Sequence, residues 1–489
     1  MSNLKKIDND SYIQLEKFTY SKKQELIIDV LNCGEKDWVG IYAKNNEPGM
    51  SKAIVWKYVN KKEKINFDIS SLKEGEYSCY LCQQDGYDVL FKVDFYITED
   101  KNDYQIKKAN LKISKKTYSN QVTIKIYPSS KKNLTYFVYW CKDKKRLKDY
   151  TEIKQIHIGN VDCFDIVLNE CIFMPNEANG IEIFVLEGHS SSYFLSLDDT
   201  LKIQKSKYCY SFQILTDLHI ENFKERPQHV SHLKAALKQV SQLCKNSQAI
   251  ISIGDHTNHG YIENYECLFT ILKEAYQNYS LPKIYYALGN HEYIYSQNFS
   301  EQISLFKKYT SAPNNYYSFN ICNHLFIILG SDSIIGEGTI HKTQLDWLKE
   351  ELAHTHKDQF TFLFVHQPLM DTVSGSLYSK DEKIQYWYGI DTGEQIKDIL
   401  KEYPNAILFT GHTHWTLDAF QPLLFGSGKN AHFVNCSSVG YLWNDNDQSE
   451  SGSEGMFIEV YEDYLLIRGR EFVDQKWCSA AQFIFPLIK

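Results

Sequence analysis

Five apolar runs in the C-terminal half of the chain, each the length of a strand, are followed at once by Asp, His or Asn. Tyr210 to Leu215 leads into Thr216-Asp217-Leu218-His219, and Ala249 to Ile253 into Gly254-Asp255-His256-Thr257-Asn258-His259-Gly260. Lys283 to Leu288 leads into Gly289-Asn290-His291-Glu292, Phe360 to Val365 into His366, and Ala406 to Phe409 into Gly411-His412-Thr413-His414. A further strand is expected at Leu325 to Leu329. Between these runs apolar residues recur at helical spacing: Val230, Leu233, Leu237, Val240 and Cys244; a stretch from Glu263 to Tyr279; Leu345, Leu348 and Leu352 after His341; and a short helix near Gln395. Strands alternating with helices predict an α/β core. In such a sheet, ligands bind beyond the carboxyl ends of the strands. Asp, Asn and His gathered there suit divalent metals such as Mn, Fe or Zn. Each cluster alone reads equally well as a cap, a turn or a satisfied buried histidine; recurrence at five strand ends singles out a site.

The first two hundred residues follow another pattern. Glu25 to Val30, Trp38 to Tyr42, Ala53 to Tyr58 and Glu76 to Leu81 are rich in β-branched and aromatic residues, with Gly34, Asn45, Pro48, Gly49 and Gly75 between them. A polar break at Glu99 to Tyr104 precedes a second block, in which Val122 to Tyr127, Thr135 to Trp140, Asp165 to Leu168 and Gly180 to Leu186 read as strands. With 489 residues and about 150 per domain, three domains are expected: an Ig-like β-sandwich at 1–102, a fibronectin-III-like β-sandwich at 103–205, and an α/β domain at 206–489. Residues 101–150 carry 14 Lys or Arg against three Asp, and 151–200 carry Lys154 against nine acids. This reads as a solvated sheet face, with anion docking as the other possibility. Asn444 to Glu454 is acidic and Ser-rich and is expected to be a mobile loop.

A net charge of −8 argues against chain-wide attraction to nucleic acid or anionic membranes. No apolar run reaches the ~20 residues of a membrane span. Met1 to Lys17 lacks the apolar segment and cleavage site of a secretory signal. The 12 Cys follow no framework spacing, so they read as small buried hydrophobes in a reducing compartment, and a cytoplasmic location is expected. The one CxxC, Cys79 to Cys82, lies in a strand that points its two thiols to opposite faces, which disfavours a shared metal. Neither a Gly-x-x-x-x-Gly-Lys phosphate loop nor a Gly-x-Ser-x-Gly elbow occurs.

Taken in order, Asp217-x-His219, Gly254-Asp255, Gly289-Asn290-His291-Glu292, His366 and Gly411-His412-Thr413-His414 resemble the motif series of the calcineurin-like metallophosphoesterases. The resemblance covers about Tyr208 to the C-terminus and includes the helix start Gln344-Leu345-Asp346-Trp347-Leu348. It implies an α/β sandwich of β-sheets flanked by helices, and two metal ions (Mn, Fe or Zn). Asp217, His219, Asp255 and His414 would hold one, and Asp255, Asn290, His366 and His412 the other. The shared Asp255 carboxylate would offset repulsion between cations ~3.5–4 Å apart. The implied activity is hydrolysis of a phosphomonoester or phosphodiester by a metal-bridging hydroxide. Asp255 and His291 would be the catalytic residues, with His291 stabilising the transition state or protonating the leaving oxygen.

Where the family usually places an Asp to pair with that histidine, this chain has Asn258, whose amide oxygen is expected to orient the His291 ring without adding charge. Purple acid phosphatases have a metal-binding Tyr in this slot and Asp-x-Gly as their first motif, so Asn258 and His219 argue against a tyrosinate-coloured site. Asn258, His256 and Trp415 are candidates for supporting the metals or touching substrate; Trp415 reads equally well as a core residue. Asp371 to Thr392, with Tyr378, Tyr386, Trp387 and Tyr388, reads as a lid or leaving-group wall, with surface packing as the alternative. Tyr136-Phe137-Val138-Tyr139-Trp140 resembles a fibronectin-III-type strand, and Asp37-Trp38-Val39-Gly40-Ile41-Tyr42 resembles a SKICH-like sandwich. The expected partner is a small-molecule phosphoester, and nothing specifically indicates nucleic acid. Two rival readings stand beside this one: a pyrophosphatase of nucleotide- or lipid-linked diphosphates, and a non-catalytic scaffold built on the metal site. Substrate, metal pair and oligomeric state stay open.

Overall fold

The computed structural model describes residues 12–489 apart from 16–18, 23–24, 32, 61–63, 99–105, 117–118, 129–133, 160, 187–190, 198–200, 203–204, 245, 297, 333–337 and 378–388. Much of the N-terminal segment, the expected break at 99–104, and Tyr378, Tyr386, Trp387 and Tyr388 lie outside the described residues.

From Tyr208 onward two six-stranded sheets face each other. One runs in the order Ile284–Ala287, Ser247–Ile253, Tyr208–Leu215, Glu454–Tyr461, Tyr464–Glu471, Lys476–Pro486. Its first three strands are parallel and the rest antiparallel. The other runs Tyr317–Ile321, His324–Ile328, Thr361–Phe364, Ala406–Thr410, His432–Asn435, Leu423–Leu424, with its four central strands parallel. Alternation along each strand divides its side chains between two cores. Tyr210, Phe212 and Ile214 point between the sheets, with Ile251, Phe326, Phe362 and Phe409; Phe212 sets its ring edge-on to Phe326 and Phe362 at 5.1 and 5.0 Å. Leu215 and Ile250 point outward to the helices Pro227–Leu243 and Ile262–Asn278, which turn in Val230, Leu233, Leu237, Leu268 and Ile271. Pro227 opens its helix at a position where a missing N–H costs nothing. Helices Lys342–Ala353 and Gly393–Leu400 cover the second sheet through Leu348, Leu352, Ile396 and Leu400. Each fully buried Phe or Leu contributes about 1.5–3 kcal/mol, and the result is four layers, helix–sheet–sheet–helix.

Not anticipated in the sequence reading were the helix Phe299–Thr310 and the three closing strands that make up half of the first sheet. Asn444 to Glu454 also differs from expectation. Leu442–Trp443 pairs with Ser449–Glu450 in a small ribbon, closed by Asn444 Nδ2 donating to Glu450 Oε1 at 2.7 Å.

The N-terminal residues form two β-sandwiches, each with a three-stranded and a five-stranded sheet around its own core. In the first, Cys79 packs in the main core while Cys82 packs on the other face with Trp38, Tyr42 and Tyr80. In the second, Arg146 pairs with the buried Glu182 and Lys116 with Glu170, which neutralises part of its basic run. This sandwich docks on the last strand of the chain: Trp477 N donates to Asp149 O (2.8 Å), Thr151 N to Trp477 O (2.9 Å) and Ile484 N to Cys171 O (2.9 Å).

Candidate metal centre

All five polar strand ends meet at one edge of the facing sheets. Asp217, His219, Asp255, Asn290, His366, His412 and His414 are all buried there, each at most 7% exposed. The backbone is bent sharply to deliver them. Asp217, His219, Asp255, His412 and His414 have φ of 53°, 46°, 47°, 69° and 60°, a left-handed conformation that costs a non-glycine residue roughly 1–2 kcal/mol and persists only where the surroundings enforce it. The enforcing bonds are present: His219 N donates to Asp255 O (2.9 Å), and His412 N to the Asp217 carboxylate (3.0 Å). Two glycines allow the close approach. Gly254 has φ 81°, and a Cβ there would lie 2.5 Å from His366 Nδ1; a Cβ on Gly411 would lie 2.4 Å from Asp217 Oδ2.

The donor atoms form three overlapping groups that could each hold a metal ion: Asp217, His219 and His414; Asp255, His366 and His412; and His219, Asp255 and His291. His414 Nε2 lies 3.1 Å and His219 Nε2 3.8 Å from Asp217 Oδ1. Around Asp255 Oδ2 stand Nε2 of His366 (3.1 Å), His219 (3.6 Å) and His291 (3.9 Å). Asn290 Oδ1 is 3.0 Å from His412 Nδ1.

Tautomers show what this arrangement requires. His366 Nδ1 faces Ile253 O (2.7 Å), His414 Nδ1 faces Tyr441 O (3.0 Å), His291 Nδ1 faces Asn258 O (2.8 Å), and His219 Nδ1 faces Asn258 Oδ1 (3.3 Å). An oxygen acceptor fixes the proton on Nδ1, so each neutral ring turns a lone pair on Nε2 inward. His219 and His414 bring these lone pairs within 3.1 Å of each other, beside two carboxylates. Such convergence of acceptors is repulsive until a cation or proton lies among them. The donor set therefore fits divalent metal ions.

The electrostatics point the same way. Burial alone would lower His366, but the Asp255 and Asp217 carboxylates push it up to about 10. Burial opposes ionisation of Asp217, yet His414 and His366 hold it well below the usual carboxylate range. Burial pushes His219 down to about 4, and burial with the His366 charge pushes His412 down to about 3.

The three supporting candidates take different places. The side chain of Asn258 holds His219, and it is the Asn258 backbone carbonyl, brought round by the turn after Asp255, that holds His291. His256 points away from the cluster, bonded to Ser252 Oγ (2.9 Å) and Ala287 O (2.8 Å) and stacked on Phe306, because it is next to Asp255 on a strand end and takes the opposite face. Trp415 is fully buried, and a Cβ on Gly375 would lie 2.9 Å from its ring; it is a core residue.

Two contributors carried no assigned role in the sequence reading. Glu292 is fully buried and accepts from Asp255 N (2.9 Å), Gly289 N (3.0 Å), Thr257 N (3.0 Å) and Thr257 Oγ1 (3.2 Å), tying the two loops that carry Asp255 and Asn290. Its place in Gly-Asn-His-Glu was the available signal. Tyr441 lays its ring 4.1 Å from that of His414 and 5.1 Å from that of His219, and nothing in the sequence around it marks it.

Residues 210–416 match the family model described as calcineurin-like phosphoesterase. Among solved structures, the chain is similar to purple acid phosphatase PPD1 from yellow lupin (Lupinus luteus) seeds, with 12% identity over 98% of this chain and 96% of that one and a TM-score of 0.41. It is also similar to a predicted phosphoesterase of Streptococcus pneumoniae (10% identity, 57% and 97% covered, TM-score 0.27). A third is vacuolar protein sorting 29 of Cryptosporidium parvum (12% identity, 58% and 100% covered, TM-score 0.28). No curated protein matches the chain.

Proposed function

We propose that the protein is a binuclear metal-dependent hydrolase of phosphomonoesters or phosphodiesters. The observation that carries this reading is the convergence of imidazole lone pairs, fixed by carbonyl oxygens on their far sides, on two buried carboxylates. Asp217, His219, Asp255 and His414 would hold one ion, and Asp255, Asn290, His366 and His412 the other. Once bound, ions such as Mn, Fe or Zn supply Lewis acidity and an activated water. The chain's own residues do the rest. Asp255 lies between the two groups and supplies shared negative charge; neutral Asn290 adds a ligand without adding charge. His291, held at Nδ1 by Asn258 O, presents Nε2 to the centre; as the imidazolium, protonated on both nitrogens, it would give the Nε2 proton to the leaving oxygen and return to the neutral Nδ1–H ring.

The organisation that goes with this reading is an Ig-like sandwich at 1–102, a fibronectin-III-like sandwich at 103–205 and the catalytic domain at 206–489, supported by their separate cores. The expected location is the cytoplasm, supported by cysteines such as Cys79, Cys436 and Cys478 packed as buried hydrophobes. Among the described residues no helix is long and apolar enough to cross a membrane.

Metal analysis combined with turnover of p-nitrophenyl and bis-p-nitrophenyl phosphate tests the proposal. The expected result is two ions per chain and measurable hydrolysis, with Asp255→Ala losing both ions and activity together. Retention of two tightly bound ions by that variant refutes the shared carboxylate; a metal-replete protein inert on every phosphoester refutes the enzyme.

A further inference from the structure

Beyond His291 a file of rings continues outward from the metal centre. The His219 and His291 rings meet edge to face at 4.5 Å, His291 and Tyr295 at 5.6 Å, and Tyr295 and His259 at 4.7 Å; His259 then stacks on Tyr261 at 5.4 Å and 14°. The three loops that supply these rings are those that follow Asp217, Asp255 and Asn290, so the file is continuous with the centre. Its outer members are open: Tyr261 is 50% exposed and Tyr295 51%. Large aromatic faces left open side by side beside a site mark a surface that something covers.

The charge of this rim narrows what covers it. Arg226 Nε lies 3.2 Å from Glu221 Oε2, and His259 Nδ1 lies 3.6 Å from Glu221 Oε1, so the guanidinium is already answered by a carboxylate. The 221–226 loop as a whole holds Glu221 and Glu225 against Lys224 and Arg226. A second phosphate would meet no net positive charge there, whereas an uncharged ring would find aromatic edges and faces.

We infer that Tyr295, His259 and Tyr261 form the leaving-group subsite, and that the preferred substrate is a phosphoester whose leaving group carries a flat, uncharged aromatic ring. This rests on the proposed phosphoesterase reading. The ring is either a simple aryl group or a nucleobase, and the two sources present the same face to the subsite.

The test compares benzyl with cyclohexylmethyl phosphate, each as monoester and as methyl diester. Their leaving alcohols are of nearly equal acidity and differ in flatness. Ring contacts of this kind are worth about three- to ten-fold each. The wild-type protein is expected to favour benzyl about ten-fold in kcat/KM. Tyr295→Ala and Tyr261→Ala should each cut that ratio about three-fold, and Tyr295→Phe should keep it. A wild-type ratio near one, or a ratio that neither alanine variant changes, overturns the inference. Adenosine monophosphate against ribose phosphate separates the sources: preference for the former assigns a nucleobase, and benzyl preference without it assigns a simple aryl group. Absence of turnover on every ester would defeat the enzyme reading alone. The subsite is then judged by calorimetry on manganese-loaded protein, where benzylphosphonate should bind more tightly than cyclohexylmethylphosphonate, and equal affinities overturn it.

Discussion

Replacing Glu292 by Gln changes one buried oxygen into an NH2 group and should unsettle the whole centre. The carboxylate accepts four hydrogen bonds, two at each oxygen. In the better amide orientation the remaining oxygen serves Asp255 N and Gly289 N, and the Thr257 hydroxyl turns to accept from the new NH2. The N–H of Thr257 is then left buried without an acceptor, which costs about 1–3 kcal/mol, and the bonds to Asp255 and Gly289 lose their charge assistance. The expected destabilisation is about 2–4 kcal/mol. Because the same bonds fix the loops that present Asp255 and Asn290, metal affinity should fall about 10–100-fold, as it does when groups that orient ligands are altered. Denaturant unfolding of the chelated proteins gives the first quantity, and calorimetric titration with Mn²⁺ or Zn²⁺ gives the second. A variant within about 0.5 kcal/mol of wild type, binding metal equally well, would show that Glu292 does not hold the centre together.

His291→Ala should slow alkyl phosphoesters more than nitrophenyl esters, whose leaving group needs little protonation; equal losses would assign His291 to charge stabilisation. Asn258→Ala should weaken metal binding through His219 yet leave that leaving-group response intact, because the oxygen that holds His291 belongs to the backbone. Burial, with the nearby Asp418 and Glu471 carboxylates, pushes Glu454 up to about 8. A carboxyl raised above its unfolded value contributes stability below about pH 4.5 and loses it as pH climbs through about 8. Glu454→Gln, which keeps the neutral form, should therefore flatten the fall in Tm over that range, by about 2–4 °C for each kcal/mol recovered; an unchanged pH profile would refute it.

The candidate metal centre was legible because its side chains are polar where the chain is otherwise apolar. Asp217, Asp255, Asn290, His366 and His412 each follow a strand, and that fivefold recurrence sets them apart from single caps or turns. The supporting groups were less legible for a physical reason. Ile253 O, Tyr441 O and Asn258 O orient the rings through the peptide group, which every residue has, so no letter records the function. The left-handed conformation of Asp217, His219 and His414 is equally silent, since Asp and His adopt it only where their surroundings demand it. For the fold, the alternation of strands and helices was evident as far as Ala406 except for the helix Phe299–Thr310. The closing strands Glu454–Tyr461, Tyr464–Glu471 and Lys476–Pro486 are apolar and aromatic enough to have been read, and they pair with one another in sequence order; their antiparallel addition to a parallel sheet depends on the distant partners of the first of them, Phe212 and Ile214.

The bonds from Asp149, Thr151 and Cys171 to Trp477 and Ile484 bear on how this protein can be dissected. A fragment starting near residue 206 would keep every side chain of the candidate metal centre but strip the cover from its outermost strand. Bare backbone donors and acceptors would then invite self-association. Poor solubility of such a fragment would thus reflect a lost neighbour, and measurements on the excised domain would understate what the intact chain can do.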